Sequence, residues 1–282
     1  MRGWVRLMIP LLRALALALG LALACASGMA EAQGYSAAAR RVLNQARAAT
    51  GGAGWNMLRG WHETGSQGGV RYETWLDPVR YGLRVETHDP AGRRIQGFNG
   101  AGEWRILPSG WATGAADPAT LAQVRTAAFF GGNFFFYPGR YDARGAYVGV
   151  RQIGERAFEV VNIQPWGGSP RELWFDRRTH LLSRIVDRTG PRPVTVELSD
   201  YRRVGPVLVA FRHAVEDGGS GSARARQVES LAFTPVDRAI FSLPRPNASS
   251  PTVQQDAAAF VPPRPSRDER DRLEALELPR GR

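Results

Sequence analysis

The chain of 282 residues has one cysteine, Cys25, four histidines and no lysine. Cys25 falls within an N-terminal segment that reads as cleaved. A disulfide scaffold, a thiol nucleophile and a cysteine metal site are then all excluded. His62, His88, His180 and His213 include no pair at metal-ligand spacing. The pattern puts His62 and His213 in strands and His88 and His180 at turns. Catalytic signatures are missing too. Asp187-Arg-Thr-Gly190 and Asp217-Gly-Gly-Ser220 are not the Asp-Thr/Ser-Gly of an aspartic peptidase. Gly167-Gly-Ser-Pro170 lacks the nucleophile-elbow spacing, and Gly51-Gly-Ala-Gly54 follows a helix where a phosphate loop would precede one. The residues point to no catalytic group, no metal and no cofactor.

The start of the chain is a targeting signal. Arg2 and Arg6 precede an apolar run, Met8 to Ala24, in which Arg13 is the only charge. Ala30-Glu31-Ala32 then supplies the small residues of a cleavage site, predicting a signal peptide over 1–32 and a mature start at Gln33. Export to the periplasm follows. The alternative is a lipid anchor on Cys25, whose upstream Ala22-Leu23-Ala24 sets Leu one place late for a lipoprotein signal.

Without lysine, every basic side chain is arginine. The net charge is +11, and without Arg2, Arg6, Arg13 and Glu31 it is +9. The arginines alternate with acids, as in Arg71-Tyr-Glu73, Arg84-Val-Glu86 and Arg171-Glu172. That is a solvated sheet face and not the clustered stripe of a nucleic-acid binder. Weak attraction to a membrane surface stays open.

Turn residues cut the remainder into strands. Tyr35 to Thr50 reads as a helix capped by Ser36 and ended by Gly51-Gly52. Strand-like runs follow at Leu58–Thr64, Val70–Leu76, Val79–Thr87, Arg93–Phe98 and Glu103–Leu107, with Asn99-Gly100 as a hairpin signal. Tyr81, Leu83 and Val85 alternate with Arg80, Gly82, Arg84 and Glu86, giving one apolar and one polar face. Pro108 to Ala116 reads as a loop. Asp117-Pro118 opens a second helix that runs through Leu121, Val124 and Phe129 into Phe134-Phe-Phe-Tyr137. The clearest sheet signal is Glu155 to Arg184, three runs and two turns. Further strands at Val194–Tyr201, Pro206–Glu216 and Ala223–Phe233 precede a helical turn at Asp237–Phe241. Residues 245–282 are a Pro-rich, then charged tail, disordered or partly helical.

This layout resembles the LolA/LolB-like periplasmic lipoprotein-carrier fold family, the outer-membrane lipoprotein-sorting group, to which the sensor RseB is related. The resemblance spans Tyr35 to Pro244. It rests on Phe158-Glu-Val-Val161 with Trp174-Phe-Asp176 and Thr179-His-Leu-Leu182, on Asp200-Tyr201 before Gly205-Pro-Val-Leu208, and on Val228-Glu-Ser230 before Phe241-Ser-Leu-Pro244. It implies an α+β domain over 33–244, a strongly curved antiparallel sheet of about eleven strands forming a half-open β-barrel, with helices covering the concave face. It also implies a periplasmic, non-enzymatic binding protein that holds a lipid or lipoprotein acyl chain and transports it within the cell envelope. The chain departs from the carrier itself by its longer Pro-rich tail, and no lid-locking arginine can be matched. Trp111, in Pro108–Ala115, is the nearest analogue of an exposed apolar loop.

The expected ligand-binding set consists of wall and lid residues. The wall is Trp75, Tyr81, Leu83, Val85, Trp104, Phe158, Val160, Leu173, Phe175, Val209 and Phe211. The lid is Leu121, Val124, Phe129, Phe134 and Phe136. A monomer with a lipid partner is the first expectation. A non-catalytic interaction or sensor module that binds another envelope protein is the alternative. An envelope hydrolase ranks last, since no nucleophile and base stand together.

Overall fold

The computed structural model describes residues 34–115, 117–216 and 224–244. The signal-like segment 1–32 with Cys25, the Asp217–Ser222 loop and the 245–282 tail lie outside the described residues.

Helix α1 spans Ala37–Ala49, and the Ser36 side chain accepts from the Ala39 N–H at its start. Its apolar stripe, Ala39, Val42, Leu43 and Ala46, is buried. The Thr50 hydroxyl donates to the Ala46 carbonyl at 2.8 Å and accepts from Trp55 Nε1 at 3.0 Å, which ends the helix and ties it to a 3-10 turn over Gly52–Met57.

Six strands follow as successive hairpins: β1 Trp61–Gln67, β2 Val70–Asp77, β3 Gly82–Asp89, β4 Gly92–Phe98, β5 Glu103–Ile106 and β6 Ala112–Ala115. Helix α2, Pro118–Gly131, and a 3-10 turn, Phe134–Phe136, interrupt the sheet. Seven more strands complete it: β7 Ala143–Ile153, β8 Arg156–Pro165, β9 Arg171–Asp176, β10 Leu182–Asp187, β11 Val194–Val204, β12 Val207–Glu216 and β13 Arg224–Ala232. A last 3-10 turn, Arg238–Phe241, is capped by the Asp237 side chain.

All thirteen strands form one sheet in the order β6-β5-β4-β3-β2-β1-β13-β12-β11-β10-β9-β8-β7. The pairs are antiparallel throughout. This corrects the half-open barrel of about eleven strands: β6 and β7 are the two edges, β7 bridged at Gly145 by the Gly34–Ser36 segment, and the sheet is neither closed nor strongly curled. Rolling a sheet requires a continuous ladder with steady stagger. Here β12 and β13 pair only from Arg212–Val215 to Arg224–Gln227. Beyond that the two strands part, and the Leu208 N–H bonds instead to the Thr50 carbonyl at 2.8 Å. The Gln227 side-chain amide takes the Phe211 carbonyl at 3.1 Å. The splay divides the sheet into two halves.

Three other local readings change. Pro108 to Ala116 is no simple loop: Leu107 to Trp111 is a hairpin tip, and Ala112–Ala115 pairs with β5. His88 lies inside β3 and pairs across to Arg93. Glu86 is buried although it belongs to the polar parity of β3, because Arg84 and Arg93 both close over it.

The inner face, towards α1 and α2, carries the main core. Leu76, Leu83, Phe98, Val161, Ile163, Leu173, Phe175, Val209 and Val228 join the helical residues there in one buried cluster. The outer face has its own small cluster, Phe158, Val160, Trp174 and Val186. The guanidiniums of Arg156 and Arg184 lie 5.0 and 6.0 Å from the Phe158 ring and help cover it. Among the described residues no helix is long and apolar enough to cross a membrane.

Candidate functional site: an aromatic layer and the sheet splay

The site begins at Asp117, whose carboxylate accepts from the Ala119 and Thr120 N–H groups at 3.3 and 3.0 Å. Pro118 fills the first helical position, where no N–H is needed. Asn133, at φ 55, takes the left-handed conformation that stops the helix and turns the chain into Phe134–Phe136. The rings then meet edge to face or stacked. Phe134 stacks on Tyr141 at 4.4 Å, Phe135 meets Phe136 at 4.6 Å, and Phe129 meets Phe130 at 5.1 Å. Tyr81 meets Phe98 at 5.4 Å and Phe134 at 5.5 Å, joining the layer to β4.

Three phenols anchor this layer. Tyr81 donates to the Arg125 carbonyl at 2.9 Å, Tyr137 to the Trp55 carbonyl at 2.6 Å, and Tyr141 to the Pro78 carbonyl at 2.5 Å. Burial raises the pKa of all three, that of Tyr137 to about 12, so each remains a neutral donor.

Nine of the expected site residues are buried in the inner core: Leu83, Val124, Phe129, Phe134, Phe136, Leu173, Phe175, Val209 and Phe211. Tyr81, Val85 and Leu121 are partly buried against it. The other four lie on the opposite face. Phe158 and Val160 belong to the outer cluster, out of phase with Val161 and Ile163 on the same strand. Trp75 stacks on His62 at 5.1 Å, and Trp104 donates to the Phe241 carbonyl at 2.8 Å. A period of two separates these four from the lid.

The space between sheet and helices is nearly filled. A cavity of about 50 Å³ remains at the splay, lined by Thr50, Trp55, Trp61, Phe130, Asn133, Phe136, Leu182, Ile185, Leu198, Val209 and His213 among others. That is room for a few waters and far less than the ~300 Å³ of a small ligand pocket. The larger hollows are open and polar. One of about 370 Å³ is bordered by Asp77, Asn99 and Phe241, another of about 320 Å³ by Thr64, Glu73, His88 and Glu229. Among the described residues no three His, Cys, Asp or Glu side chains converge on a possible metal position.

Trp61, which lines the cavity, also reaches a polar cluster built around the buried Glu63 and the partly exposed Arg226. Glu63 accepts from Trp61 Nε1 at 3.0 Å, from the Tyr72 hydroxyl at 2.6 Å and from Arg226 Nη2 at 2.5 Å. The Arg226 guanidinium lies 4.2 Å from the Tyr72 ring centroid. Burial alone raises the Glu63 pKa, but Arg226 and the Tyr72 hydroxyl pull it below the ordinary carboxylate value, so it is charged. Burial, followed by the charge of Arg226, lowers the pKa of His213 and keeps it neutral. Sequence reasoning missed Glu63 and Arg226 and gave His213 a structural role. The available signal was parity, since Glu63 stands two residues after the core residue Trp61 and Arg226 two before Val228.

No family model matches the chain, and no curated protein matches it. Solved structures do show similarity. A LolA superfamily protein from Nitrosomonas europaea is 14% identical with a TM-score of 0.49, covering 74% of this chain and 99% of its own. A putative outer membrane lipoprotein-sorting protein domain from Vibrio parahaemolyticus is 13% identical at 0.48, covering 71% and 94%. A DUF1329 family protein from Desulfovibrio piger is 13% identical at 0.48, covering 73% and 98%. The first two bear the names of the group that the sequence resembles. At these identities and scores no residue role passes to this chain.

Proposed function

We propose that the protein is an exported, non-catalytic binding protein of the cell envelope, and that its ligand is a lipid acyl chain or similar hydrophobic group. The observation that carries this reading is the aromatic layer with its adjoining cavity. Phe130 and Phe136 line that cavity, and both belong to the segment that interrupts the sheet between β6 and β7. The chain lies between sheet and helices, in space opened when the Phe130 and Phe136 rings swing aside. Each buried methylene contributes about 0.8 kcal/mol, so a few carbons offset the cost of repacking two rings.

Native mass spectrometry of protein purified from its host tests this directly. Co-purified lipid is expected, together with a shift in the emission of a fluorescent fatty acid on addition. A protein that is always empty and leaves the probe unchanged is an ordinary packed core, and the envelope interaction module becomes the better reading.

A further inference from the structure

We infer that β7 is the interface of a two-fold homodimer, in which the β7 strands of two copies pair antiparallel about Val150 and join their sheets. The inference is independent of the acyl-chain reading and departs from the monomer expected from the sequence.

An edge strand offers unpaired N–H and C=O groups to any extended chain, and proteins blunt such edges with charge, proline or a covering segment. On β7 the covering is partial. The Gly145 N–H bonds to the Gly34 carbonyl at 3.1 Å and the Ser36 N–H to the Gly145 carbonyl at 2.8 Å, after which the chain enters α1. No described segment pairs with Tyr147–Ile153 on that side. This stretch has no proline and a single charge, Arg151, and it exposes Val148, Val150 and Ile153.

A second copy fits the stretch by length and by charge. Its middle residue is Val150. Pairing about a two-fold axis there uses all of it: Val150 faces its own copy, Gly149 faces Arg151, Val148 faces Gln152 and Tyr147 faces Ile153. No like charges stand opposite, whereas an axis at Arg151 would set two guanidiniums face to face. The bulge between Tyr147 and Gly149 lies off the axis. Past Ile153, position 155 falls opposite Gly145, so the turn at Gly154 and Glu155 of one copy meets the Gly34–Ser36 segment of the other. Glu155 is exposed and in no ion pair among the described residues, and the same holds for Arg40 in the first turn of α1, which contains no acid. The start of α1 and Arg40 then receive the carboxylate of the second copy.

The test uses the full chain with Cys25→Ser, so that any disulfide comes from an introduced cysteine. Sedimentation velocity across about 5–500 µM should show the mass rise from one copy towards two. Val150→Cys places a thiol opposite its own copy, and air oxidation should cross-link most of the protein. Ile153→Cys lies about 20 Å from its copy in this pairing and should cross-link less than about a tenth as much. Val150→Arg sets two guanidiniums on the axis and should weaken association at least about tenfold. Both positions are exposed in the single chain, so these variants keep the fold. A native chain that stays a single copy throughout overturns the proposal. So does growth past two copies, equal cross-linking at the two cysteine positions, or undiminished association of Val150→Arg.

Discussion

Trp104 Nε1 donates to the Phe241 carbonyl at 2.8 Å across 137 residues of chain. Trp104 is fully buried on the outer face of β5, and Phe241 is buried in the last described 3-10 turn. The bond fastens the end of the domain to its first half-sheet, with Arg84 Nη1 donating to the Ile240 carbonyl at 3.1 Å beside it. Phe241→Ala should cost about 3–5 kcal/mol by opening a cavity, and Trp104→Phe about 1–3 kcal/mol by leaving that carbonyl unsatisfied. Urea unfolding of both variants checks the order. Equal stability of Trp104→Phe and the native protein would mean that water replaces the indole.

Gly97 exists where it does because of the same indole. A Cβ there would come within 2.0 Å of the Trp104 ring. The register explains why, since His62, Trp75, Arg84, Gly97 and Trp104 stand in one row across five strands. His62 stacks on Trp75, and the Arg84 guanidinium lies 5.6 Å from the Trp75 ring and 5.7 Å from the Trp104 ring. Gly97→Ala should cost about 1–3 kcal/mol by overpacking. In a Trp104→Leu background the same change should cost much less. A double-mutant cycle with no coupling would show that the sheet yields elsewhere.

The two faces of the sheet make different predictions for binding. Phe136 and Phe158 are both buried, one on the inner face beside Trp55 and one on the outer face beneath Arg156. Each truncation to alanine should destabilise by about 3–5 kcal/mol. Only Phe136→Ala also enlarges the cavity at the splay, so it should change the affinity for a fluorescent fatty acid at least severalfold, while Phe158→Ala leaves it within about twofold. Titration of both variants under conditions where both are folded makes the comparison. Equal effects would place the ligand elsewhere than the inner face.

Much of the fold was legible because local chemistry wrote it. Ser36 and Asp117 cap the two helices that they were expected to cap, and the expected helical turn follows Asp237. The strands of Glu155 to Arg184 appear as β8, β9 and β10. What stayed hidden was nonlocal. Ala112–Ala115 has little strand character of its own and is fixed by pairing with β5. The β12–β13 ladder ends at Arg212 and Gln227, and the Leu208 N–H beyond it goes to the carbonyl of Thr50, 158 residues away. The candidate site was half legible. The Phe-rich segment announced itself by composition, but Phe158 and Val160 were read with Leu173 and Phe175 although strand pairing sets them on opposite faces. Glu63 and Arg226 escaped because a salt bridge between residues 163 apart has no local sequence signal.

The polar cluster should make stability fall on mild acidification. His213 faces Glu63 and Arg226, and its pKa in the folded protein is below the ordinary 6.5 because of burial first and Arg226 second. The unfolded chain therefore binds a proton near pH 6.5 that the folded chain refuses until lower pH. The stabilisation is fully present above the unfolded pKa and is lost as pH falls towards the folded one. Glu63 adds a second loss at lower pH. Its folded pKa is below the ordinary 4.5, so its contribution is present above that value and disappears as pH falls through the folded pKa. Each ~1 kcal/mol lost lowers Tm by about 2–4 °C in a domain of this size. Thermal unfolding between pH 8 and 5 should show a decline that begins near 6.5. His213→Asn, which cannot titrate there, should flatten it, while Glu63→Gln with Arg226→Gln leaves the histidine step in place but shifts it. A native curve that is flat from pH 8 to 5 would mean that His213 accepts its proton in the folded state as readily as in the unfolded chain.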